Sequence, residues 1–236
     1  MAKLTVRDLD LRGKRVLMRV DYNVPMKEKD GRMVINDLTR IRETLPTLDL
    51  LIQKGARIIL AAHLGRPKGK REASMSLRPV AAALTDLIHR PVAFIDDCVG
   101  EKVEKTAGAL KDGDVLLLEN VRYYSEEESP ERSIRLPLAE KLAKLAEVFV
   151  NDAFGAAHRA HASTTTVAEV IAGRGGLCAA GLLMERELKF LGDAVRTFTP
   201  SGKETGHKID IPAARVEAIY DDKPEVRDFS RNSPPA

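Results

Sequence analysis

A chain of 236 residues with 44% hydrophobic and 31% charged side chains has the balance of a soluble globular protein able to bury one large α/β domain or two small ones. Its net charge of +3 is too small to demand nucleic acid but fits a local anion site. The N-terminus has no apolar signal core, no apolar run is long enough to span a bilayer, and Cys98 and Cys178 lack metal-type spacing. These features exclude a membrane protein and a disulfide or zinc framework, and point to a cytoplasmic chain with two reduced, packing thiols.

The first predicted strand is Arg15-Val16-Leu17-Met18-Arg19-Val20-Asp21. It runs into Tyr22-Asn23-Val24-Pro25, where Asp21 and Asn23 offer oxygens to the hydroxyl groups of a small polar ligand, or simply form a turn. Residues 27–33 are polar and contain glycine, hence a predicted loop. Asn36 or Asp37 should then cap a helix with Ile41, Leu45, Leu48, Leu51 and Ile52 on one face, which Pro46 should kink or delay. Arg40 falls in its first turn, where a cation opposes the helix dipole unless an anion compensates. Gly55 ends this helix.

The next apolar run, Ile58-Ile59-Leu60-Ala61-Ala62, stops abruptly at His63-Leu64-Gly65-Arg66-Pro67. An apolar run of this length reads as a strand buried on both faces of a parallel sheet, and ligands sit beyond the carboxyl ends of such strands. The stretch from Gly65 to Arg71 is one residue short of a phosphate loop and carries Arg71 where Ser or Thr should follow the lysine, so that motif is rejected. A helix from about Ser76 through Ile88 follows, with His89 in its last turn as a dipole partner. Then come a short strand over 92–95 and a helix over 101–110. Strand 114–120 ends in Asn120-Val121-Arg122, and the acidic run Glu126-Glu127-Glu128 reads as a solvated loop.

A helix over 138–145 leads to strand Val148-Phe149-Val150, which opens into Asn151-Asp152-Ala153-Phe154-Gly155-Ala156-Ala157-His158-Arg159-Ala160-His161. Two histidines and an arginine among small residues read as an anion site. A metal site is the competitor, but His158 and His161 lack carboxylate or thiolate partners at suitable spacing. Residues 175–180 read as a short apolar connection and 182–195 as a last amphipathic helix. Residues 196–236 carry five prolines and no sustained periodicity, and read as linker or disorder with one short strand at 209–211.

Alternating strands and helices predict right-handed βαβ units and a doubly covered parallel sheet, a Rossmann-like α/β fold. The strand ends would gather Asp21, Asn23, His63, Arg66, Arg122, His158 and Arg159 on one edge with Arg40 nearby. Such a set suits a small, strongly anionic ligand, because the guanidinium fork matches phosphate and carboxylate oxygens. No G-x-G-x-x-G fingerprint marks a dinucleotide site.

Five segments, in order, closely resemble phosphoglycerate kinase. They are Arg19-Val20-Asp21-Tyr22-Asn23-Val24-Pro25, Thr39-Arg40-Ile41-Arg42, His63-Leu64-Gly65-Arg66-Pro67, Glu119-Asn120-Val121-Arg122, and the run from Asn151 to His161. The resemblance implies that residues 1–180 form that family's N-terminal domain, which binds 3-phosphoglycerate or 1,3-bisphosphoglycerate, and that 181–195 is the helix joining its two domains. It implies contacts to substrate from Asp21, Tyr22, Asn23, Arg40, His63, Leu64, Gly65, Arg66, Arg122, His158 and Arg159, with Arg40 as the catalytic contact to the transferring phosphoryl group. Phosphoryl transfer between an acyl phosphate and ADP requires no general base, so positioning and charge neutralisation would carry it.

The family's second domain binds Mg-ATP or Mg-ADP through a Gly-Gly-Ala-Lys-Val-type segment, and nothing after Val195 resembles it. The expectation is a monomeric chain that binds the phosphoglycerate partner in glycolysis, binds neither nucleotide nor metal strongly, and does not turn over alone. The alternative is a non-catalytic module of the same fold turned to another anion, including nucleic acid. An aromatic content of 4% weighs against single-strand binding.

Overall fold

A computed structural model describes residues 4–157 and 159–196 of the chain, with side chains described as far as residue 190. The elements run β1 (Arg15–Val20), β2 (Met26–Lys29), β3 (Arg32–Ile35), α1 (Thr39–Gln53), β4 (Arg57–Ala61), α2 (Arg78–Ile88) and β5 (Val92–Phe94). They continue with α3 (Glu101–Gly108), β6 (Val115–Leu117), α4 (Arg132–Ala143), β7 (Val148–Asp152), α5 (Phe154–Ala157), α6 (Val167–Gly173), β8 (Leu177–Ala180) and α7 (Leu182–Arg196). Six strands form one sheet in the order β5-β6-β4-β1-β7-β8, every neighbouring pair parallel.

The alternation of side chains along each strand divides the apolar residues between two faces. Val16, Met18, Ile58 and Leu60 pack with Ile41, Leu48 and Leu51 of α1 and with Val80 and Leu84 of α2. Leu17, Ile59, Leu116 and Phe149 pack on the other face with Val103 of α3, Leu138 and Leu142 of α4, and Val167 and Ile171 of α6. Both faces are therefore covered, as the uninterrupted apolar runs require. The chain leaves the central strand β1 first towards β4 and later towards β7, so the direction of winding reverses beside β1 and opens a crevice there.

Several local expectations are corrected. Residues 27–33 are not a loop: β2 and β3 form an antiparallel hairpin, closed by Asp30 and Gly31 with φ of 51° and 73°. An Asp-Gly pair between two short strands is a strong hairpin signal, which the polarity of the flanking residues masks. Residues 175–180 include β8, which pairs with β7. α1 starts at Thr39, ahead of Pro46, with Leu38 at the N-cap position and no side-chain cap. Asp37 instead accepts hydrogen bonds from the backbone N–H and the hydroxyl of Thr39. α4 begins at Arg132, six residues before its expected start, with Pro137 inside it. His89 is the left-handed C-cap of α2 at φ 52°. The expected tail, with its short strand at 209–211, lies outside the described residues.

The junction of β7 with α7 is built around a buried carboxylate. Asp152 accepts a hydrogen bond from the backbone N–H of Met184 at 3.1 Å, and Thr47 of α1 accepts one from the N–H of Leu182 at 2.9 Å. The start of α7 is thereby tied to the sheet and to α1. Gly181 lies so close that an added Cβ would sit 2.2 Å from an oxygen of Asp152. A methyl group there has to displace either the carboxylate or the helix. Gly181→Ala is expected to destabilise the chain by more than about 3 kcal/mol. Gly173→Ala, where a Cβ meets nothing within 4 Å, should be neutral or slightly stabilising. Urea denaturation of both variants checks the contrast.

Candidate functional site

The carboxyl ends of β1, β4, β6 and β7 adjoin one another in the sheet, and the loops that leave them line a cleft of about 340 Å³. Its walls are Asp21, Asn23, Arg40, His63, Gly65, Arg66, Arg122, Gly155, Ala156 and Arg159. Arg40 comes from the start of α1 and Gly155 and Ala156 from α5, while β1, β4 and β6 contribute in one common way. An apolar strand is fixed by the core, and the first residues past its end are free of that constraint and carry polar groups.

The loops are bolted to each other by two asparagines. Asn23, after β1, accepts a hydrogen bond at 2.8 Å from the N–H of Gly65, after β4. Asn120, after β6, is fully buried; its Nδ2 donates to the carbonyls of Leu64 and Met75 at 2.7 and 3.0 Å, and its Oδ1 accepts from the N–H of Arg122. Glu119 beside it accepts from the N–H groups of Leu77 and Asn120 and from the hydroxyl of Ser76, which anchors the approach to α2. Gly65 turns at φ 63°, and a Cβ there would lie 2.8 Å from the sulfur of Met75. The turn therefore accepts only glycine without rearrangement.

The cationic groups are held differently. Arg40, half-exposed at the start of α1, forms an ion pair with Asp21 at 2.5 Å. Arg122 is 5% exposed; its Nη1 donates to the Gly65 carbonyl at 2.8 Å and its Nη2 pairs with Glu128 at 2.6 Å. Its Nε is buried with no hydrogen-bond partner. Glu128 also stands 4.0 Å from Arg159 and 3.9 Å from Nε2 of His161. Arg66 is exposed at the mouth of the cleft. The arrangement leaves donors directed at a shared space, part of their charge balanced by Asp21 and Glu128.

Two residues of the expected contact set, Tyr22 and Leu64, do not line the cleft. Tyr22 is fully buried, its hydroxyl 3.0 Å from that of Thr44, and its side chain belongs to the core and not to the cleft lining. Leu64 is likewise a core side chain, 3% exposed, contributing only the carbonyl that Asn120 holds. Asp21, Asn23, Arg40, His63, Gly65, Arg66, Arg122 and Arg159 all reach the cleft. His158 lies outside the described residues.

The acidic run is corrected in part. Glu127 is fully buried, its two oxygens accepting from the hydroxyl and the N–H of Ser163 at 2.6 and 2.9 Å. Its burial pushes its carboxyl above the usual range, against the pull of Arg19 and Ser163. Arg19, fully buried in β1, donates to Ser163 Oγ at 2.8 Å and to His63 Nδ1 at 3.1 Å. In the sequence Arg19 stands in the first strand and opens the first family-like segment, and an arginine inside an apolar strand run is the signal of a buried charge awaiting a partner. Among the described residues, no group of three or more His, Cys, Asp or Glu side chains could hold a metal ion, and no helix is long and apolar enough to cross a membrane.

Two histidines sit among these arginines. Burial first, and then Arg19 and Arg122, lowers His63 from its ordinary 6.5 to about 2 and His161 to about 3. Both are neutral in the folded chain where the unfolded chain would protonate them. Their contribution to stability is therefore fully present above pH 6.5 and is lost as the pH falls from there towards 3 and 2. The limiting slope is about 1.4 kcal/mol per pH unit for each histidine. His63→Gln is expected to reduce the slope of unfolding free energy between about pH 6 and pH 4, as read by urea denaturation at stepped pH.

The family model described as phosphoglycerate kinase matches residues 6–201. The phosphoglycerate kinase of Dictyoglomus turgidum is 51% identical over 200 residues, covering 84% of this chain and 47% of that protein. That of Synechococcus sp. strain WH7803 is 54% identical over 198 residues, covering 83% and 46%. Among solved structures, the phosphoglycerate kinase of Pyrococcus horikoshii OT3 superposes with a TM-score of 0.73 at 31% identity, covering 83% of this chain and 46% of that one. The Coxiella burnetii enzyme gives 0.69 at 36% with the same coverage. The chain thus spans about half the length of the relatives it matches. Over that half, in sequence and in fold, it belongs to the phosphoglycerate kinase family.

Proposed function

We propose that the cleft binds 3-phosphoglycerate or 1,3-bisphosphoglycerate, the non-nucleotide partner of a phosphoryl transfer to ADP or from ATP in glycolysis, in a cytoplasmic, monomeric chain. The observation that carries this reading is the convergence of Arg40, Arg66, Arg122 and Arg159 on one cleft. Guanidinium groups crowded together favour a bound anion whose oxygens accept from them and offset their repulsion. The cleft's volume of about 340 Å³ is at the small end for ligand sites and suits a three-carbon phosphate.

In this reading Arg122 and Arg159 exchange Glu128 for ligand oxygens, and Arg66 meets the ligand at the mouth. Arg40 leaves Asp21 to contact the transferring phosphoryl group, which frees Asp21 to accept from a ligand hydroxyl beside Asn23. Gly155 keeps room next to Asp21: a Cβ there would stand 2.9 Å from its carboxylate oxygen. No proton has to be removed, so these residues act by orientation and charge. The nucleotide and its magnesium are substrate to this reaction.

Calorimetry of the 236-residue chain with 3-phosphoglycerate should give a dissociation constant in roughly the high-micromolar to millimolar range. Arg66→Ala combined with Arg122→Ala should abolish the heat, and no heat with the unaltered chain sinks the reading. Binding to DNA with a steep salt dependence, in place of 3-phosphoglycerate, would select the nucleic-acid alternative. A coupled assay with 1,3-bisphosphoglycerate and Mg-ADP is expected to show no sustained ATP formation by the purified chain. The expectation rests on positioning: a chain that does not hold ADP in line forfeits about 7–11 kcal/mol of barrier lowering. Turnover that disappears in Arg40→Ala would overturn that expectation.

A further inference from the structure

We infer that Arg19 is a positioning residue which fixes the tautomer of His63, so that this histidine presents a neutral ring with its single N–H on Nε2 to a ligand oxygen in the cleft. The argument starts from what a guanidinium can do. It carries five N–H donors and no acceptor. Arg19 Nη2 stands 3.1 Å from His63 Nδ1. For that contact to be a hydrogen bond, Nδ1 must supply its lone pair, and the ring proton then resides on Nε2. A proton on Nδ1 would set two donors against each other next to a positive charge.

Arg19 has little freedom to turn away. It is fully buried, its Nε donates to Ser163 Oγ at 2.8 Å, and its Nη1 donates to the carbonyl of Val20. Ser163 is pinned in turn, since Glu127 accepts from both its hydroxyl and its backbone N–H. Ser163 lies in a π-helical turn, Ala162–Thr166, a local geometry that often marks a functional position. Burial acts to neutralise Arg19, but Glu127 and Asp21 oppose this, and a guanidinium keeps its proton under such conditions. The groups bearing on His63 are Arg19, Arg122, His161 and Arg159, and together with burial they keep its ring uncharged.

The consequence concerns selectivity. The positive charge of the cleft comes from its arginines, while His63 adds a directed neutral donor whose state does not change across physiological pH. It donates to a carboxylate, phosphate or hydroxyl oxygen and disfavours a ligand that offers an N–H at that point. The identity of that ligand rests on the function proposed above; the tautomer does not.

Long-range proton–nitrogen NMR on the ¹⁵N-labelled chain, without ligand, reads the ring directly. The expected result is a pyridine-type Nδ1 and a pyrrole-type Nε2 for His63 from about pH 5 to about pH 8, with a nitrogen–nitrogen coupling across the hydrogen bond to Arg19. A protonated Nδ1, or a titration near the ordinary histidine value, overturns the inference. Arg19→Met combined with Glu127→Gln removes the donor without leaving a buried unpaired charge, and should introduce the Nδ1–H form and weaken 3-phosphoglycerate binding several-fold. A double variant that keeps Nε2–H alone shows that Arg19 is not the cause. If the double variant does not fold, the coupling in the unaltered chain still decides. Failure of the unaltered chain to bind 3-phosphoglycerate counts against the proposed function, and leaves the NMR result to stand or fall separately.

Discussion

A fully buried guanidinium in the central strand constrains everything around the cleft. Removing such a charge from water costs several kcal/mol even after relaxation, and an unpaired one would unfold a domain of ordinary stability. Arg19 is 0% exposed and so is Glu127. The two are joined through Ser163. This requirement explains why the segment after β6 folds back over the sheet edge, and why the turn after β7 adopts a π-helical conformation that delivers both the hydroxyl and the N–H of Ser163 to one carboxylate. Buried Val121 and Ala162 anchor the two segments in the core, and the polar residues beyond them answer to Arg19.

With that network in place, the loops become a rigid frame. Asn23 and Asn120 satisfy backbone groups of the loops beside the cleft, and each spans two strand ends. Such side chains serve a shape that regular secondary structure cannot supply, since the sheet ladder ends where the loops begin. Arg122 inherits its position from this frame, through the bond from its N–H to Asn120 and the bond from its Nη1 to Gly65.

The acidic partners of the cleft arginines deserve equal weight in the physical account. Asp21 pairs with half-exposed Arg40, and partly exposed Glu128 pairs with buried Arg122 and stands near Arg159, which reduces the repulsion among cations crowded into one space. The exposed pairs contribute little to stability and can be exchanged for a ligand at small cost, whereas buried Arg122 needs another acceptor when Glu128 leaves it. Glu127, by contrast, is structural. Two neighbouring glutamates in one acidic run thus do opposite work, decided entirely by which of them the fold turns inward.

The sequence by itself determined the architecture and most of the cleft. Uninterrupted apolar runs such as residues 58–62 can only be buried on both faces, and their polar terminators must gather at one edge of a parallel sheet. That logic found Asp21, Asn23, Arg40, His63, Arg66, Arg122 and Arg159. Tertiary structure decided what period and spacing leave open. It put Tyr22 and Leu64 in the core, because neighbouring residues past a strand end face opposite ways. It made a hairpin from a polar segment whose Asp-Gly turn was decisive, and a strand from β8, which forms by pairing at the sheet edge. It joined Arg19 to Ser163 and Glu127 across more than a hundred residues of chain, a contact that no local pattern encodes because it answers the cost of one buried charge.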